Sequence, residues 1–268
     1  MPQEIEPIRS RSNPLVRRLR ELRDSSRAGQ TCLLEGPRLV LEAVRAGVRV
    51  LEAAATTRAE RTAPGREALA ALAAEGVVVR RVHDAVLDSL CEAETSQGLL
   101  AIAERPPFAE DQVFVAVPLI VVAVGIQNPG NLGGLLRTAE AAGATGAVLA
   151  GPTADPLSWK SLRGSMGSAL RLPHLRERSI DAAVDRLAAR RLRLAATVAH
   201  GGQRYDQADL RGPLALLLGN EGWGLAESVE QRADLRLTIP LRPPVESLNV
   251  GVAAGILLFE AARQRGRS

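Results

Sequence analysis

Leu119-Ile-Val-Val-Ala-Val-Gly-Ile-Gln-Asn128-Pro-Gly-Asn131-Leu-Gly-Gly-Leu-Leu-Arg137-Thr138 is the most constrained stretch of the chain. Its first part is an unbroken apolar run, which suits a strand buried on both faces of a parallel sheet. The run stops at Asn-Pro-Gly, and helical spacing resumes from about residue 131. A buried strand therefore delivers a glycine-bearing turn onto a helix N-terminus, where backbone N–H groups and the positive dipole end favour an anion. Side chains tilt toward a helix start, so Arg137 would reach back over Gly133 and Gly134 toward Asn131. The pair reads as a clamp for a phosphate and its ribose, or as a capped helix with a surface arginine. A P-loop is excluded because the Gly-Lys-Ser/Thr ending is missing. A dinucleotide fingerprint is excluded by the spacing of Gly130, Gly133 and Gly134.

Two further loops follow expected strand ends. Leu214-Ala-Leu-Leu-Leu218 empties into Gly219-Asn220-Glu221-Gly-Trp223-Gly224, whose glycines let a ligand approach the backbone. Glu221 is an acceptor or a counter-charge to a cation there, or a solvated turn residue, and Trp223 reads first as a packing anchor under the loop, ahead of a base or ligand stack. Ile239-Pro-Leu241-Arg-Pro243-Pro244 leads to Ser247-Leu248-Asn249, stiffened by the proline pair. Ser247 is placed to cap the last helix. That helix is apolar nearly all round and should be buried in the core or a subunit interface.

The remaining pattern divides the chain into a basic helical arm (1–28), a small α/β domain (29–105), a linker (106–116) and a second α/β domain (117–268). In the arm, Asn13-Pro14 caps a helix over 12–27 whose Leu15, Leu19 and Leu22 form an apolar stripe. Its arginines read equally as a solvated face or as phosphate contacts. Strands are expected near 118–124, 146–150, 192–198, 214–218 and 234–239 in the second domain, with function at their carboxyl ends.

Composition narrows the class. The chain has 268 residues, 46% of them hydrophobic and 24% charged, and a net charge of +4 that is compatible with nucleic-acid binding. Lys160 is its sole lysine. Aromatic residues make up 2%, which excludes base stacking on aromatic platforms as the main mode of RNA binding. There is no apolar run of membrane-spanning length and no secretion-signal core, so the expected location is the cytoplasm. Cys32 and Cys91 are expected as reduced thiols, and His83, His174 and His200 are too scattered to suggest a metal site.

The three loops resemble the three motifs of the SpoU (TrmH-like) RNA ribose 2′-O-methyltransferases of the SPOUT superfamily, in order and spacing across residues 118–264. Ser12-Asn-Pro-Leu15, Leu34-Glu-Gly36 and Gln97-Gly98 resemble the branch that acts on ribosomal RNA. The resemblance implies a mainly parallel α/β domain with a deep trefoil knot, preceded by a small ribosomal-protein-like RNA-binding domain. It implies S-adenosylmethionine as methyl donor, no metal, an RNA substrate and a homodimer through the C-terminal domain. Asn131, Arg137, Glu221, Ser247 and Asn249 would form the catalytic surround. Leu218, Gly219, Asn220, Gly224, Ile239, Leu241 and Leu248 would hold the donor. Arg11, Arg17, Arg18, Arg38, Gln97 and Arg163 would contact RNA, although the turn carrying Gln97 also reads as an ordinary loop. Competing readings are transfer RNA as substrate, a non-catalytic RNA- or ribosome-binding protein, and a nicotinamide-dependent oxidoreductase on an ordinary doubly wound sheet.

Overall fold

The computed structural model describes residues 6–24, 29–91, 96–220 and 222–266. The chain forms two compact units, one from residues 1–106 and 157–170, the other from 107–156 and 171–268.

The first unit is built on four strands, β1 (Thr31–Glu35), β2 (Val50–Ala55), β3 (Val78–Arg81) and β4 (Leu99–Glu104), in the order β1-β4-β2-β3. β4 runs antiparallel to both neighbours, and β3 lies parallel to β2 at the edge. Alternate residues of the sheet, Leu33, Ala54, Leu100 and Ile102, pack with Leu15, Val16 and Leu19 of the first helix and with Trp159. That helix, Pro14–Asp24, starts where Asn13 and Pro14 predict, with Asn13 Oδ1 accepting from the Leu15 amide at 3.0 Å. Residues 25–28, into which the sequence pattern extends it, lie outside the described residues.

Two expectations change here. The sequence pattern places residues 157–170 in the second domain, yet they pack in the first unit. The reason is Trp159, 5% exposed at the start of the helix Trp159–Ser165 and buried in the first unit's core. The segment 106–116 is also not a free linker. It contains the helix Glu110–Val113, and Val113 is fully buried in the second unit's core. That helix approaches the chain so closely that a Cβ on Gly146 would sit 2.7 Å from Val113 Cγ1.

The second unit holds β5 (Leu119–Val124), β6 (Gly146–Ala150), β7 (His174–Glu177), β8 (Arg193–Thr197), β9 (Gln203–Arg204), β10 (Leu214–Leu218) and β11 (Leu235–Thr238). Every pairing in this sheet is parallel, in the order β7-β6-β5-β10-β8-β11-β9. The order departs from a doubly wound dinucleotide fold, because β10 and not β8 enters beside β5. β5 and β10 are buried throughout, as their apolar runs require. The apolar pattern does not announce β7 and β9. Both are edges of the sheet, their residues are half-buried or exposed, and they carry no apolar run.

Cys32 is buried and Cys91 half-buried, both as free thiols. Burial, with Glu35 and Asp88 adding negative charge nearby, pushes the Cys91 thiol up to about 11 against the hydrogen bond with Ser96. The thiolate is therefore scarce at neutral pH. Among the described residues, no helix is long and apolar enough to cross a membrane.

Replacing Trp159 by alanine is expected to cost about 3 kcal/mol through the cavity left in the first unit, and Trp159→Phe distinctly less. Equilibrium urea unfolding measures both.

Candidate functional site

In a parallel sheet all carboxyl ends lie on one edge, and β5, β10 and β11 each empty there into one of the three loops. The β5 loop runs into the helix Pro129–Ala141. The helix starts two residues before the position expected from the sequence, with Asn128 as its cap. Asn128 Oδ1 accepts from the amides of Gly130 at 2.8 Å and Asn131 at 3.1 Å, and its carbonyl accepts from Leu132 at 3.0 Å. Pro129 has no N–H. The first-turn donors are thus already engaged, and the expected anion site of free amides is not present. What the helix offers is its side chains. Asn131 is half-buried. Arg137 is exposed and, among the described residues, has no ion-pair or hydrogen-bond partner.

The β10 loop is pinned to β5. Asn220 Nδ2 donates to the Gly125 carbonyl at 2.8 Å, and Asn220 Oδ1 accepts from the Gly222 amide at 2.8 Å. Asn220 and Gly224 also exchange backbone bonds of 3.1 and 2.9 Å, with Gly224 at φ +68°. Glycine is required at 219, where a Cβ would lie 2.2 Å from the Gly224 carbonyl carbon. Glu221 lies outside the described residues. Trp223 overturns its expected role. It is 77% exposed, so it anchors no packing beneath the loop.

The third loop leaves β11, three strand positions from β5, or roughly 14 Å at about 4.8 Å per strand. Residues 239–249 cover that span, and Asn249 Nδ2 donates to Asn131 Oδ1 at 3.0 Å. Asn249 also caps the helix Val250–Gln264, its Oδ1 accepting from the Gly251 amide at 2.9 Å. Ser247, expected in that role, lies exposed ahead of the cap instead. The terminal helix runs close to the Pro129–Ala141 helix: a Cβ on Gly251 would sit 3.9 Å from the Leu135 nitrogen, and one on Gly255 3.5 Å from Thr138 Cγ2.

One tie, Asn249 to Asn131, therefore joins the first and third loops, and another, Asn220 to Gly125, joins the second to β5. Asn128 has no role in the sequence reading, although the Asn-Pro pair at a helix start is a signal that finds it. Ile239, Leu241 and Leu248 are half-buried, leaving apolar surface at the strand ends, whereas the Leu218 side chain is buried in the sheet. Apolar side chains beside glycine backbone suit an adenosine-like group, whose flat apolar faces need a slot and whose edges need backbone partners. No group of three or more His, Cys, Asp or Glu side chains among the described residues is placed to hold a metal ion.

In the first unit, Arg11, Arg17, Arg18 and Arg38 are exposed and have no ion-pair partner among the described residues. Gln97 is exposed beside Gly36, its Oε1 3.3 Å from where a Gly36 Cβ would lie. Arg163 is engaged within the unit: its guanidinium lies 5.2 Å from the Trp159 ring centroid, and its Nε is 4.0 Å from Glu35 Oε2.

Residues 118–259 match the SpoU rRNA Methylase family, and residues 5–115 match the N terminus of thiostrepton-resistance methylases. The chain is 34% identical to an uncharacterized tRNA/rRNA methyltransferase of Synechocystis sp., over 98% of this chain and 95% of the relative. It is 35% identical to the 23S rRNA (guanosine-2′-O-)-methyltransferase RlmB of Pseudomonas putida, over 76% of this chain and 86% of the relative. The solved structure of the SpoU methyltransferase AviRb from Streptomyces viridochromogenes in complex with AdoMet is similar at a TM-score of 0.83 and 30% identity, covering 94% of this chain and 98% of that one.

Removing the Asn249 side chain by Asn249→Ala should lower stability by about 1 kcal/mol through absence of the cap. Asn249→Ser, which can cap but cannot reach Asn131, should recover most of it. Thermal unfolding of the two variants against the parent checks the pair.

Proposed function

Because the chain belongs to the SpoU rRNA methylase family, we propose that it transfers a methyl group from S-adenosylmethionine to a ribose 2′-hydroxyl of RNA, with ribosomal RNA as substrate. The observation that carries the reading is the Asn249–Asn131 hydrogen bond, which holds the first and third loops together beside the second. The 23S rRNA activity named for the Pseudomonas relative, and the match of the first unit to a methylase N terminus, favour ribosomal over transfer RNA.

When bound, the donor supplies a methyl group on a sulfonium, and the chain's task is placement. Half-buried Ile239, Leu241 and Leu248 form the apolar slot, and Leu218, Gly219, Asn220 and Gly224 line it with backbone. Asn131, Arg137, Ser247 and Asn249, with Glu221, surround the reacting ribose. The C–S bond breaks as the C–O bond forms, and the 2′-hydroxyl proton leaves to a phosphate oxygen or to solvent. A guanidinium is a cation with five N–H donors, so the part of Arg137 is to stabilise the developing alkoxide. Its lack of a carboxylate partner among the described residues leaves the guanidinium available for this.

The family reading also carries a trefoil knot and a homodimer. The return of residues 239–249 from β11 to the helix beside β5 supports the first. The second is supported by Val252 and Phe259, 52% and 53% exposed, which share a face of the terminal helix with half-buried Ile256. With ribosomal RNA as its substrate, as for the 23S rRNA methyltransferase relatives, the cytoplasm is the place of action.

Arg137→Ala is expected to abolish incorporation of labelled methyl into unmodified 23S rRNA while calorimetric binding of S-adenosylhomocysteine is kept. Wild-type turnover in that variant would remove Arg137 from the mechanism. Arg17→Ala with Arg18→Ala should weaken RNA binding whatever the sequence. The slope of log affinity against log salt should become shallower by about 0.7 to 0.9 for each phosphate no longer neutralised, measured by titration across salt concentrations.

A further inference from the structure

We propose that Trp223 is a nucleobase platform at the donor site, stacking on a base of the substrate RNA next to the methylated ribose. The inference rests on the RNA methyltransferase reading above and adds a substrate-positioning residue to it.

Four observations converge on this side chain. The indole is 77% exposed, the most exposed large hydrophobic side chain among the described residues. It stands between Gly222 and Gly224, both exposed, so no neighbouring side chain flanks its faces from the adjacent positions. Its stem is held: Asn220 and Gly224 exchange backbone bonds, Asn220 Oδ1 takes the Gly222 amide, and Asn220 Nδ2 ties the loop to Gly125. The ring is thus presented from an anchored turn at the end of the strand that borders β5. Finally, aromatic residues are scarce. The chain has two Trp, one Tyr and three Phe, and several of the others are engaged elsewhere in the fold. Trp159 is buried, Phe108 packs edge-on to His174, and Phe114 lies under Arg190.

The chemistry explains why a base and not a phosphate is the partner. A ribose presented from a single-stranded loop or bulge carries a base that is already unstacked, which leaves base faces without their neighbours. An exposed indole restores one stacking partner, and it does so for any base because every base has a π-face. A single platform of this kind is compatible with the low aromatic content, since phosphate contacts from the arginine-rich arm carry the bulk of the grip. A second copy of the chain is the competing occupant, and the experiment separates the two.

The test has two parts. In methyl transfer to unmodified 23S rRNA transcripts, Trp223→Ala should raise KM for RNA roughly tenfold, more than any fall in kcat. Trp223→Phe should keep most of the wild-type value, and Trp223→Leu, apolar but without a π-face, should not. Affinity for S-adenosylhomocysteine should not change. In a Trp159→Phe background, indole emission from Trp223 should be quenched by a single-stranded oligoribonucleotide and not by an abasic oligomer of the same length. Equal KM values for the alanine variant and the parent overturn the proposal and leave the enzyme reading intact. So does an indole signal that follows protein concentration without RNA, which would assign Trp223 to a contact between copies. Failure of the parent protein to bind or methylate RNA overturns both.

Discussion

The geometry of the site begins with β10 lying against β5. Leu214 to Leu218 pair in parallel with Leu119 to Ala123, and all of these residues are buried. Such strands have no amphipathic face to expose, so only an interior position in the sheet satisfies them. Once they are neighbours, the loops leaving their carboxyl ends emerge side by side. Segments 95 residues apart in sequence become parts of one surface, and the Asn220–Gly125 hydrogen bond fixes their spacing.

Three asparagines then organise that surface. Asn128, Asn220 and Asn249 each use Oδ1 to hold a backbone amide of their own loop. Asn220 and Asn249 use the remaining amide group to reach another segment. Hydrogen bonds at such positions contribute only about 1 kcal/mol each to stability, so their main consequence is geometric. They also consume the donors at the helix start, which moves the burden of recognising substrate from backbone amides to side chains such as Arg137.

Charge is distributed with a similar division. Arginines in each unit, including Arg58, Arg171, Arg186 and Arg232, are paired with carboxylates. Arg11, Arg17, Arg18 and Arg38 in the first unit, and Arg137 in the second, have no such partner among the described residues. Exposed ion pairs add little to stability, but they do neutralise a guanidinium toward outside anions. The unpaired ones are those a polyanion meets at full charge.

Residue types alone dictate the strands with unbroken apolar runs, the Asn13-Pro14 helix start and the positions of the three loops, because burial on both faces and capping are local demands. They do not reveal β7 or β9, whose edge positions ask for no apolar run. They put Trp159 in the wrong unit and Trp223 under its loop, since one residue type serves equally as an anchor or as an exposed face. They also give Ser247 a cap that Asn249 provides. The order β5-β10-β8-β11, the return of residues 239–249 to Asn131 and the capture of residues 157–170 by the first unit emerge in three dimensions. Each of these follows from which apolar surfaces find one another across long sequence separations, and no local pattern encodes that pairing.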